Sequence, residues 1–103
     1  MAQFDVHRNR GRSREGIPFV VVVQSSLYDQ YSRRVVVPLV RKSYLNKVSH
    51  PRFNPTFRIN KIPVVLHPLE IVSVPRDKLG NLVGSLAKDS DRIIDALDEL
   101  IVA

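Results

Sequence analysis

The sequence predicts a mainly β fold: a small, mostly antiparallel barrel or curled sheet with one amphipathic helix at its C-terminal end. Three observations predict it. Phe19 to Val23 and Val35 to Leu39 are valine-rich runs on either side of one polar connection, and valine is stiff at its first side-chain torsion and packs well on a pleated surface. Turn-forming residues divide much of the remaining chain into further short segments. Only from Asp91 onward does a sustained helical period appear.

Taken in order, Gln3 to His7 alternates polar with apolar residues, the pattern of an edge or first strand with one wet face. Arg8 to Gly16 holds four arginines and two glycines and no apolar residue, so it predicts a solvated loop into the valine strand. A continuous apolar run predicts a strand covered on both faces, which puts both valine runs at the centre of the sheet. Arg41 to Val48 predicts about two turns of helix, with Tyr44, Leu45 and Val48 on one face, stopped by His50-Pro51. Phe53, Asn54 and Pro55 form a turn, Thr56 to Asn60 a strand facing Phe57 and Ile59 inward, and Asn60-Lys61 a tight hairpin into Ile62 to His67. Pro63 and Pro68 mark ends or edges of that strand. Glu70 to Val74 is one more strand, closed by Pro75.

Leu79, Leu82, Val83 and Leu86 are spaced for a short helical turn, weakened by Gly80 and Gly84 at about 1 kcal/mol each relative to alanine. Asp89 or Ser90 then caps the terminal helix, with Ile93, Ile94, Leu97, Leu100 and Ile101 inward and Asp91, Asp95, Asp98 and Glu99 outward. The last two acids oppose the helix dipole, so local helix stability does not explain them.

At 103 residues the chain supports one domain, taken here as 1–103. It has no cysteine, hence no disulfide and no thiolate chemistry, which fits a reducing cytoplasm. No window approaches the ~18 apolar residues of a membrane span, and the first residues lack a signal-peptide core. The net charge is +6, unevenly spread: residues 1–88 carry 15 bases against 5 acids, and the remainder 1 base against 5 acids. A basic body of this kind suits nucleic acid, an acidic protein segment or simply solvent.

Little in the chain points to catalysis. His7, His50 and His67 are far apart in sequence, without the spacing of a metal site. Ser25 and Ser26 have no neighbouring histidine and read as turn-forming hydroxyls. Arg33 and Arg34 point to opposite faces of a strand, so one is expected to be a buried stem paired with Asp29 or Glu70. Phe4, Phe19, Phe53 and Phe57 read as core. Only Tyr28, Tyr31 and Tyr44 are candidates for the exposed aromatics that single-stranded nucleic acid would require.

Together, FVVVVQSSLYD, RRVVVPL and IVSVP ahead of a terminal amphipathic helix resemble the CcdB-type toxins of toxin-antitoxin systems. The blocks that carry the likeness are Val23-Gln24-Ser25, Arg33-Arg34, Pro38-Leu39 and Ser73-Val74-Pro75, and it spans nearly the whole chain. The resemblance implies a cytoplasmic homodimer of SH3-like barrels, with no cofactor and no enzymatic activity. Such toxins inhibit DNA gyrase by wedging into the dimer of its A subunit and trapping cleaved DNA. An acidic CcdA-like antitoxin neutralises them, and operator DNA is bound only through that antitoxin. Carried over by position, the target-binding residues are Leu27 and Tyr28, with Asp98, Ile101, Val102 and Ala103 standing where the family has an asparagine, an aromatic, a tryptophan and a glycine. The chain stops one residue short of the family's final isoleucine. Arg8, Arg10, Arg12 and Arg14 are the expected antitoxin contacts. The altered tail leaves a second reading, a CcdB-like protein that binds antitoxin but has lost or changed its target. The barrel shared with MazF/Kid toxins leaves a third, an endoribonuclease using His7 and the arginine loop.

Overall fold

The computed structural model describes residues 2–102, which form seven strands and one helix. The strands are β1 (Asp5–Arg8), β2 (Phe19–Val22), β3 (Arg33–Arg41), β4 (Thr56–Ile59), β5 (Ile62–Leu66), β6 (Val72–Pro75) and β7 (Leu82–Ser85); α1 is Ser90–Ile101. All pairings are antiparallel and run in the order β4-β5-β3-β2-β1-β7, with β6 also on β3. The valine runs become β2 and β3 at the centre, as their composition predicts.

The long β3 organises this curled sheet. One edge pairs with β2 from Val36 to Leu39; the other pairs with β6 over Arg33 to Val36 and with β5 over Leu39 to Arg41. Pro38 falls at the changeover between β6 and β5. Its carbonyl accepts from the His67 amide, so its missing donor faces that gap and no ladder bond is lost. Pro63 likewise lies just beyond the stretch of β5 that pairs with β3. The β4–β5 hairpin turns through Asn60 and Lys61, both at positive φ, as a tight primed turn requires.

The sheet buries both faces of β2. Phe4, Val6, Phe19, Val21, Val37, Leu39, Phe57, Val64, Leu66 and Ile93 form the main core under α1. Val20, Val22 and Val36 form a second cluster on the opposite face, closed by Val74 and Leu79. That two-sided burial is the physical reason for unbroken valine runs.

Six expectations are corrected. The segment around Leu82 is a strand, not a helical turn, and it pairs with β1. The exposed ladder of β1 needs partners, and the two glycines lower any competing helical preference. In consequence β1 is an interior strand, and His7, expected on a wet face, is buried between Val20 and Leu82. Between Arg41 and Val48 only Lys42–Tyr44 turns, as a single 3-10 turn: β3 stays extended through Arg41 to pair with β5, and the chain is extended again at Leu45. In α1, Ile94 and Ile101 face outward and Ala96 packs inward with Ile93, because a single helix on a curved sheet buries a narrower stripe than the apolar spacing offers. Asp89 holds the N-cap position, but its carboxylate lies 3.8 Å from Arg92 and bonds no backbone amide. Phe53 is only half-buried, unlike the other three phenylalanines.

Candidate functional site

The connection from β2 to β3 exposes large apolar side chains yet is tightly braced. Ser25 Oγ accepts from the Leu27 amide and so caps the 3-10 turn Ser26–Tyr28. The Gln24 amide spans the connection: its nitrogen donates to the Tyr28 carbonyl and its oxygen accepts from the Val35 amide, each at 2.9 Å. Arg34 is 1% exposed, and its guanidinium donates to the carbonyls of Tyr31, Arg33 and Asp29 at 2.6–2.9 Å. The Asp29 carboxylate stands 3.9 Å away, and Glu70 is not its partner. Arg33 instead bonds Ser73 on β6. Three backbone acceptors therefore hold this buried cation, which in return fixes the path of the loop.

Leu27, 84% exposed, and Tyr28, 54% exposed, stand on that scaffold, and Tyr31 packs near Tyr28 with ring centroids 6.3 Å apart. Large apolar side chains held in water by a rigid frame are a contact surface in waiting. The sequence places one of Arg33 and Arg34 as a buried stem beside Asp29, and Arg34 is that residue; the brace formed by Gln24 and the three backbone carbonyls that hold Arg34 were not foreseen. An arginine opening a valine strand was the available signal.

The tail residues belong to the C-terminal end of α1. Asp98 is exposed, and Ile101 and Val102 are 83% and 69% exposed; Ala103 lies outside the described residues. The helix end is tied to the turn before β4 through Arg52 and Glu99 at 3.1 Å. The Leu27 turn is tied instead to the N-terminal segment, where Gln3 bonds both Ser26 Oγ and the Val23 carbonyl.

The β1–β2 connection bears the expected antitoxin contacts. Asn9 shapes it: its amide nitrogen donates to the Ile17 carbonyl, and its oxygen accepts from the Gly11 amide. The far end is fastened to β3, where the Arg41 amide and side chain donate to the carbonyls of Gly16 and Glu15. Arg8 is steadied by backbone bonds with Asn81 and Gly80 and by the Phe19 ring, 5.9 Å from its guanidinium. Gly80 has to be glycine here, since a Cβ would stand 2.6 Å from the Arg8 carbonyl oxygen. Arg8, Arg10, Arg12 and Arg14 pair with no carboxylate among the described residues. Four guanidiniums are thus presented outward, ready for an anionic partner.

His7 directs Nδ1 to the Gly80 carbonyl at 3.0 Å, so this nitrogen carries the proton and Nε2 faces the interior without a partner. His67 is in the wall of a recess with Arg12, Arg14, Tyr44 and Glu70. Among the described residues no three His, Cys, Asp or Glu side chains converge on a metal position, and no helix is long and apolar enough to cross a membrane.

A family model described as CcdB protein matches residues 3–102. A comparison with curated proteins gives no match.

Proposed function

Because the chain belongs to the CcdB family, we propose that it is the toxin of a toxin-antitoxin pair and inhibits DNA gyrase by engaging the A subunit. The observation that carries this reading is the Leu27-Tyr28 turn: two large apolar side chains held in solvent by Gln24, Ser25 and Arg34. Such anchors lose little freedom on binding, which is the property of interface hot spots. In this mechanism the chain makes and breaks no bond. It binds one state of the target, the complex with cleaved DNA, and shifts the population toward it.

In the proposed assembly the toxin is a homodimer, so two copies of Leu27 and Tyr28, with Asp98, Ile101, Val102 and Ala103 from each helix end, make up the target surface. Arg8, Arg10, Arg12 and Arg14 receive the acidic antitoxin, and operator DNA is reached only through it.

One observation favours a second reading, loss or change of target. Val102 stands where the family has a tryptophan, and Asp98 adds an exposed carboxylate beside it. Loss of a buried aromatic anchor costs about 2–4 kcal/mol, or roughly thirty- to a thousand-fold in affinity.

A supercoiling and DNA-cleavage assay with gyrase from the same source, taken well above micromolar toxin, decides between them. Trapped cleaved DNA, lost on Leu27→Ala, is the expected result. No cleavage with a folded dimer supports the changed-target reading.

A further inference from the structure

Tyr44 is an exposed aromatic that the proposed function leaves unused. It is 60% exposed and lies against Gly16, where a Cβ would stand only 3.2 Å from the ring. Both supports are fastened. The Arg41 amide donates to the Gly16 carbonyl at 2.7 Å, the Arg41 side chain donates to the Glu15 carbonyl, and the Leu45 amide closes the 3-10 turn onto the Lys42 carbonyl. The ring therefore stands on a braced platform in the wall of a recess of about 600 Å³. That volume falls within the range of about 300–1,000 Å³ typical of small-molecule sites.

Three kinds of surface meet in this recess. Ile17, Val40 and Leu45 add half-buried aliphatic wall to the ring. Arg12 and Arg14 bring two guanidiniums, and Glu15 and Glu70 two carboxylates. All four charged residues are exposed, and none of them forms an ion pair among the described residues although both signs line the same recess. Opposite charges that share a site without neutralising one another leave donors and acceptors free for a single ligand. Such a ligand offers an aromatic plane to Tyr44, an anion to the arginines and hydrogen-bond donors to the carboxylates. An acidic peptide would be repelled by Glu15 and Glu70, and a fatty chain would use neither charge. A bare cation finds no three ligands converging among the described residues. A nucleoside phosphate meets all three needs: its base stacks, its ribose hydroxyls and base N–H groups donate, and its phosphate accepts from guanidinium.

We propose that this recess binds a nucleoside phosphate, with the base stacked on Tyr44, the phosphate on Arg12 and Arg14, and ribose hydroxyls or base N–H groups donating to Glu15 and Glu70. The site includes neither Leu27 nor Tyr28 and does not rest on the gyrase reading. Because Arg41 and Gly16 hold the platform in place, little ordering of the ring is needed when the base arrives.

Isothermal titration of the purified full-length chain with adenosine monophosphate, adenosine and inorganic phosphate tests this. The nucleotide should bind tightest, with adenosine and phosphate each weaker by about tenfold or more, since each makes only part of the contacts. Tyr44→Ala should weaken the nucleotide by about tenfold or more, and Tyr44→Phe should keep it, because stacking needs the ring and not the hydroxyl. The double variant Arg12→Gln, Arg14→Gln should bind nucleotide and nucleoside alike, with thermal melting confirming that each variant is folded. No binding at millimolar nucleotide, phosphate binding as tight as the nucleotide's, or full affinity in folded Tyr44→Ala would overturn the site. Should Tyr44→Ala fail to fold, the arginine variant decides: an undiminished preference for nucleotide over adenosine overturns the proposal. A tetra-adenylate strand separates the two sources of this chemistry. Affinity equal to the monomer's assigns the site to free nucleotides; tighter binding that Tyr44→Ala abolishes assigns it to one nucleotide of a single strand; tighter binding that Tyr44→Ala leaves intact overturns it. The gyrase assay reads a surface that shares no residue with this one, so either claim can fail without the other.

Discussion

The two connections of strand β2 put the same side chain to opposite uses. At the β2–β3 end, the Arg34 guanidinium is turned inward and its terminal nitrogens are consumed by three carbonyls, and what reaches solvent is apolar: Leu27, Tyr28 and Tyr31. At the β1–β2 end, a neutral amide, Asn9, does the bracing, and four arginines are left outside without carboxylate partners among the described residues. An arginine's role follows from where its donors go. Arg34 is architecture because its terminal nitrogens are spent on backbone carbonyls, although its buried Nε has no partner; Arg8, Arg10, Arg12 and Arg14 face outward without carboxylate partners among the described residues.

The largest expected break in this comparison is Arg34→Ala. It leaves the carbonyls of Asp29, Tyr31 and Arg33 without their donor and opens a void, which should cost about 3–5 kcal/mol. A drop in melting temperature of about 12 °C or more should follow. Arg10→Ala or Arg12→Ala should stay within about 0.5 kcal/mol by the same measurement. Equal melting of Arg34→Ala and wild type would refute the division between the two loops.

Gly80→Ala comes next. Its new Cβ would press on the Arg8 carbonyl and push β7 from β1, costing about 1–3 kcal/mol in chemical denaturation. Gly84→Ala has nothing within 4 Å of the added carbon and should gain about 0.5 kcal/mol in its strand. The reverse order of these two glycines would contradict the packing of β7 beside the arginine loop.

Ser25→Ala removes the cap on the Leu27 turn and should cost about 1 kcal/mol, together with a measurable loss of target affinity as the turn loosens. Leu27→Ala should be nearly silent in stability, within about 0.5 kcal/mol, while abolishing target inhibition. If it destabilised the chain instead, the residue would belong to the fold rather than to a contact surface. The smallest effect concerns salt. Raising ionic strength past the point where the Debye length falls to about 3 Å should weaken partner binding at the arginine loop and leave binding at Leu27 nearly untouched. Isothermal titration at two salt concentrations reads both.

Much of this was legible in the chain itself. The valine runs, the Asn60-Lys61 hairpin and the terminal helix are each set by short-range preferences that hold wherever the segment sits. The exposure of Tyr28, Tyr31 and Tyr44 was legible too, whereas Leu27 was singled out only through the family resemblance. The strand at Leu82 was not legible: its residues fit a helical spacing, and only the unpaired edge of β1 selects the strand. His7 was misplaced for the same reason, since its burial depends on a neighbour more than seventy residues away. Ile94 and Ile101 fit the apolar face by spacing, and the curvature of the sheet left them outside.

Side-chain shape, period and count are local properties, and they account for the class of fold, its central strands and its uneven charge. Tertiary pairing settled which arginine is buried and which strand covers β1. Those outcomes depend on distant segments satisfying each other's backbone donors and acceptors, and no local pattern records that pairing.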